Sequence, residues 1–140
     1  MFKNDIIVRF NECDALGHVN NATYFTYFEE ARTELFRLFN PELDTNSWNL
    51  IVASTYCDFL REVAYASKIT VYTWISRLGN SSFEVEHAIQ DHQKNWVARG
   101  KATLLGFDFN QKKAIPLTEE IRDALLQHTE GPENVPDLRN

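Results

Sequence analysis

Between residues 50 and 110 apolar and polar side chains alternate almost without a break, a period that fits extended strands and not helices. Ile69, Val71, Thr73 and Ile75 alternate with Thr70, Tyr72, Trp74 and Ser76; Phe83, Val85, His87 and Ile89 alternate with Glu84, Glu86 and Gln90. Gly79-Asn80 and the stretch Asp91 to Lys94 supply the turns between these runs. The pattern predicts strands at about 50–62, 68–77, 82–91 and 95–109, joined as an antiparallel meander.

The flanking segments follow other rules. Residues 4–10, NDIIVRF, read as one more strand, ending in the polar loop NECDALGHVNN. From Thr23 to Phe39 the apolar residues Tyr24, Tyr27, Phe28, Ala31, Leu35 and Leu38 recur at helical spacing, which predicts one long helix, capped by Asn20 or Asn21 and stopped before Pro41. Thr118 to His128 reads as a short C-terminal helix with Thr118 as its cap, and 129–140 as a mobile tail. Because 140 residues that are 44 % hydrophobic suffice for one core, residues 1–140 are expected to form a single α+β domain. In it a five-stranded antiparallel sheet wraps one face around the long helix. Its other face and its edges are left for a second copy, so a homodimer or homotetramer is expected.

The formal charge of −6 argues against a nucleic-acid partner, which demands clustered cations. Arg77, Lys94, Arg99 and Lys101 could still meet an anionic ligand locally, although scattered solvated charges account for them equally well. No apolar run approaches the roughly 18 residues of a membrane span, and the start MFKNDIIVRF lacks a leader's apolar stretch, so a cytoplasmic protein is expected. Cys13 and Cys57 have neither metal-ligand nor disulfide-scaffold spacing, and no GxSxG elbow surrounds any Ser.

The stretch CDALGHVNNATY sets a carboxylate, a Gly, a His and two Asn directly before the predicted long helix. The first turn of a helix offers free N–H groups and a positive dipole end that can stabilise an oxyanion, and a nearby carboxylate can attack a carbonyl or activate water. On composition alone, capping its own turn is the commoner role for Asp14, helix capping for Asn20 and Asn21, and an ordinary loop position for His18. Glu62 reads as a strand-end charge, Ser81 and Ser82 as turn residues, His87 as a core or interface histidine, and Tyr24, Tyr27 and Phe28 as core and pocket wall.

The longer stretch RFNECDALGHVNNATYFTYFEEART resembles the signature of the 4-hydroxybenzoyl-CoA thioesterase family of hotdog-fold proteins, and its GHVNN is also similar to that of acyl-acyl-carrier-protein thioesterases. FLREV, the LGNSSF turn and WVARGKATLLGFD fall where such proteins have theirs. The resemblance implies a hotdog fold and hydrolysis of an acyl thioester, with Asp14 as nucleophile or general base, assisted by His18, Asn20 and, from the neighbouring subunit, Glu62. It further implies an oxyanion donor at the backbone N–H near Asn21, a chain turn at Gly17, and substrate contacts from Tyr24, Ser81 and Ser82. No metal or redox cofactor is implied, coenzyme A enters only as part of the substrate, and the site lies at a subunit interface. The sequence departs from the pattern at Leu16, where the carrier-protein subtype has Asn, and at Phe10, where one bacterial branch has Tyr. A carrier-protein thioesterase and a non-catalytic acyl-thioester-binding protein are the rival expectations.

Overall fold

The structure, a computed structural model, describes residues 1–139. Its main elements in chain order are β1 (Phe2–Ile7), α1 (Asn21–Ala31), α2 (Thr33–Phe39), β2 (Leu50–Phe59), β3 (Lys68–Leu78), β4 (Ser82–Asp91), β5 (Trp96–Asp108), β6 (Lys113–Ala114) and α3 (Glu119–Leu125). The five expected strands form one antiparallel sheet in the order β1-β3-β4-β5-β2, and the two-residue β6 adds a short pairing to the end of β5.

The expected meander holds only for β3, β4 and β5. β2 does not pair with β3 but crosses to the far edge and pairs with β5, from Leu50 opposite Gly106 to Phe59 opposite Ala98. It also ends earlier than expected, because Leu60 and Arg61 both donate to the Val97 carbonyl and turn the chain away. The connection to β3 then passes beneath the Asp14 loop, where Ala64 bridges His18.

Alternation sorts the side chains as read. Ile69, Val71 and Ile75 of β3 and Phe83, Val85 and Ile89 of β4 are buried on the face that carries the helices. There they meet Tyr24, Tyr27, Phe28 and Ala31 of α1 and Leu35 of α2. The Phe28 ring stacks on His87 of β4, centroids 4.7 Å apart and 9° from parallel. Beneath the same ring is Gly100 of β5, where a Cβ would come within 2.5 Å of Phe28, so only glycine lets the helix sit this close.

The single long helix is corrected to two. It begins at Asn21, capped by the Asn20 side chain accepting from the Ala22 N–H at 2.9 Å, and it breaks at Arg32. The Arg32 N–H donates three residues back, to Glu29, and the Thr33 hydroxyl takes the Glu30 carbonyl at 2.8 Å, which interrupts the helical ladder. Arg32 itself turns inward and is 3 % exposed, its Nη1 donating to His87 Nε2 at 3.1 Å. His87 Nδ1 lies 2.9 Å from the Thr73 hydroxyl, so this histidine is a satisfied core residue.

The opposite face of the sheet carries Tyr72, Trp74, Ala88 and Trp96. Here lies the segment read as a mobile tail. Gly131 sits on the Trp74 ring, Val135 packs on the aromatic cluster, the Pro136 carbonyl accepts from Arg99, and the Arg139 N–H donates to Asp58. Arg99 is buried there over the Trp74 ring and paired with Glu86. Of the four cations that could have met an anionic ligand, Arg77 and Lys101 share Glu84 and Arg99 pairs with Glu86, so these three are matched by carboxylates, and Lys94 is in the turn at the other end of β4. Thr118 caps α3 through the Ile121 N–H, as read. Among the described residues no helix is long and apolar enough to cross a membrane.

Burial, and then the charges of Arg32 and Arg99, hold the His87 imidazole well below its ordinary pKa, so it stays neutral in the fold. The unfolded chain takes up that proton near pH 6.5 and the folded chain does not, so stability is lost as pH falls below about 6.5, by about 1.4 kcal/mol per pH unit from this group. Urea denaturation at pH 7.5, 6.5 and 5.5 should show His87→Gln losing less stability than wild type, by little between pH 7.5 and 6.5 and by about 1 kcal/mol between pH 6.5 and 5.5.

Candidate active site

The loop from Cys13 to Val19 is a small hairpin. Cys13 and Val19 bridge at its base, the Asp14 N–H donates to the His18 carbonyl at 2.8 Å, and the Gly17 N–H donates to the Asp14 carbonyl at 3.1 Å. Gly17 turns the chain with φ +79°, in the left-handed region that favours glycine. The hairpin is pinned from below by the Val19 N–H on the Val63 carbonyl and the Tyr65 N–H on the Gly17 carbonyl.

Asp14 does cap its own turn, the commoner role for such a residue. Its Oδ1 accepts from the Leu16 N–H at 2.9 Å and the His18 N–H at 3.3 Å. Among the described residues all of its side-chain hydrogen bonds fall on Oδ1, so Oδ2 keeps its lone pairs free on an exposed residue that lines the pocket. The departure at Leu16 is thereby explained. The main chain of residue 16 orients the carboxylate, while its side chain is 79 % exposed at the pocket lip.

The helix start completes the arrangement. The Ala22 N–H goes to the Asn20 side chain and the Thr23 N–H to the Asn20 carbonyl, which leaves the Asn21 N–H without an acceptor among the described residues. Asp14, His18, Asn21, Tyr24 and Glu62 line one pocket of about 270 Å³ together with Leu16, Val19, Phe59, Leu60 and Arg61. His18 Nε2 stands 3.4 Å from Glu62 Oε2 of the same chain, so the Glu62 expected from a neighbouring subunit is already at the pocket without one. Tyr24 forms the floor, its hydroxyl pushed up to about 12 by burial and then by Cys57 and Glu62. Burial likewise pushes the Cys57 thiol up to about 12, which leaves it a poor nucleophile. Among the described residues no three His, Cys, Asp or Glu side chains are grouped to share a metal ion.

Ser81 and Ser82 do not join this pocket. They lie at the β3–β4 hairpin, where Ser82 accepts from Arg77 at 3.3 Å and the Ser81 carbonyl accepts from Gly106. Sequence reasoning missed Phe59, Leu60 and Arg61, which come to the pocket only because β2 crosses the sheet. It also missed Glu12, a 7 % exposed carboxylate two residues before Asp14. Burial alone would push the Glu12 carboxyl up, but hydrogen bonds from Arg9 and Tyr27 outweigh it and hold it below the usual range. The Arg9/Glu12 spacing was the available signal.

Residues 8–125 match the family model described as the thioesterase-like superfamily. The chain belongs to that superfamily. Among solved structures it is similar to one described as a predicted thioesterase from Bacillus stearothermophilus, with 32 % identity, a TM-score of 0.90, and 94 % of this chain and 98 % of that one covered. A thioesterase from Thermus thermophilus, solved with coenzyme A and Zn, is similar at 30 % identity and a TM-score of 0.79, over 89 % of this chain and 96 % of its own. The long-chain acyl-CoA thioesterase FadM of Escherichia coli is 25 % identical, over 89 % of this chain and 97 % of its length. The fold is the hotdog fold, and the chain is an enzyme of the thioesterase type.

Gly17 has open space around its Cα, so Gly17→Ala meets no clash and only the left-handed backbone opposes it. The expected cost is about 1–2 kcal/mol in urea denaturation, with faster amide exchange at Leu16 and His18.

Proposed function

We propose that the protein hydrolyses an acyl-CoA thioester to the free acid and the thiol, with Asp14 acting at the thioester carbonyl and the Asn21 N–H receiving the oxyanion. The observation that carries this reading is the pairing of unsatisfied groups in one pocket, the free Oδ2 of Asp14 and the unaccepted N–H of Asn21. A carboxylate with free lone pairs attacks or deprotonates; a fixed N–H at a helix start stabilises the negative oxygen that results. The names of the Escherichia coli and Thermus thermophilus relatives support coenzyme A as the thiol.

In this reading Gly17 lets the chain turn beneath the substrate, Asn20 keeps the helix start in shape, and Tyr24 bounds the acyl group. The exposed run Val52 to Thr55 on the β2 edge, and the exposed apolar residues Phe10, Leu16, Phe59 and Tyr65 around the pocket, support a homodimer or homotetramer that closes the site. Ser81 and Ser82 would then meet the pantetheine or nucleotide arm of a substrate bound mainly by the second copy. A cytoplasmic location belongs to the same reading, and both cysteines are free. The His18–Glu62 pair favours a second reading, in which the acyl group arrives on a carrier protein and this pair helps to activate water.

A panel of acyl-CoA and acyl-carrier-protein thioesters, followed by free thiol release, tests both. Wild type should turn over at least one acyl-CoA, and Asp14→Asn should lower kcat by at least about a hundredfold. Equal turnover by Asp14→Asn would sink the assignment; turnover of carrier-protein substrates alone would favour the second reading; none at all would favour a binding protein. Oxygen-18 from solvent entering Asp14 during a single turnover marks the nucleophile role, with water opening the acyl-Asp14 anhydride at the Asp14 carbonyl.

A further inference from the structure

We propose that Glu12 is a positioning residue, whose carboxylate, wedged between Arg9 and the Tyr27 hydroxyl, sets where the Asp14 hairpin stands relative to the start of α1. The inference rests on the hydrolase reading above, because it concerns the two halves of that site. One half, the carboxylate, rides on the hairpin; the other, the N–H, belongs to the helix. The chain joins them on one side, running from Val19 through Asn20 into α1; Glu12 ties the other arm of the hairpin to the same helix.

Its main-chain carbonyl accepts from the Asn20 N–H at 2.9 Å and from the Thr23 hydroxyl at 3.4 Å, closing the hairpin base against the helix start. Its side chain reaches further. Oε1 accepts from the Arg9 N–H at 2.8 Å and from the hydroxyl of Tyr27, inside α1, at 3.0 Å. Oε2 accepts from Arg9 Nε at 3.2 Å and Nη2 at 2.8 Å. All four acceptor positions are filled, as a buried carboxylate requires.

Stability alone does not account for this arrangement. The Arg9 side chain is 74 % exposed, so its ion pair adds little to the bonds that offset the burial of the carboxylate. What the carboxylate supplies and an apolar side chain cannot is a directional strut from hairpin to helix. A catalytic group and an oxyanion donor need that kind of fixed separation, since an error of about an ångström costs on the order of a hundredfold in rate.

The test compares Tyr27→Phe, which deletes one hydroxyl and keeps the ring, with Glu12→Leu and Glu12→Gln. The Gln carbonyl oxygen can keep both donors of Oε1. Four quantities are read for each: kcat and KM on an acyl-CoA that wild type turns over, the melting temperature, and amide exchange at Leu16, His18 and Asn20. Tyr27→Phe and Glu12→Leu should lower kcat by about ten- to a hundredfold with KM little changed, measured well below their melting temperatures, and should speed exchange at Leu16 and His18. Glu12→Gln should retain most of the activity and protection. Wild-type kcat together with wild-type exchange in folded Tyr27→Phe and Glu12→Leu would overturn the proposal, whatever their melting temperatures. If wild type releases thiol from no acyl-CoA, the hydrolase reading fails by itself, and the exchange rates still decide whether Glu12 holds the hairpin.

Discussion

Everything that faces the helices depends on one missing side chain. Gly100 leaves on β5 the space that the Phe28 ring fills, and His87 offers the flat surface on which that ring lies. Any larger residue at 100 would lift α1 from the sheet. With the ring seated, the helix axis and its starting point are fixed. Asn20 and Asn21 then come beside the hairpin that carries Asp14, with the Val63 carbonyl holding that hairpin from below. The pocket is a product of helix seating, not of the loop alone.

Strand content was legible because burial on one face writes a period of two into the chain. Neighbour relations were not, because alternation says which face a residue takes and is silent about which strand lies beside it. That is why β2 could be read as a strand and still be assigned to the wrong partner. The break at Arg32 was hidden for a related reason. Helical periodicity registers apolar positions, and a guanidinium turned inward toward a histidine leaves no apolar mark. The strand-like stretch was also read three residues too far, since the turn at Leu60 is made by two main-chain donors sharing one carbonyl, with no glycine or proline to announce it.

In the pocket, the residues read from the motif mostly come together: Asp14, His18, Asn21, Tyr24 and Glu62 share one lining. Their proximity in the chain made four of them an easy reading, while Glu62 reaches the others through the pairing of residues 63–65 with the hairpin. Ser81 and Ser82 stand apart, because a hairpin turn at the far end of β4 cannot reach a site at the opposite end of the sheet within one chain. Glu12 escaped notice because a charged residue beside an exposed loop looks solvated until the helix closes over it.

The hydrogen bonds of Asp14 separate two kinds of inheritance. Its posture comes from the main-chain N–H groups of residues 16 and 18, which every amino acid but proline supplies, so sequence drift at those side chains leaves the carboxylate aimed as before. The Leu16 side chain, meanwhile, stands exposed at the pocket lip. On the proposed reading, a substitution at position 16 would change what enters the pocket without moving the carboxylate beneath it, and one loop would serve as both a fixed tool and an adjustable gate.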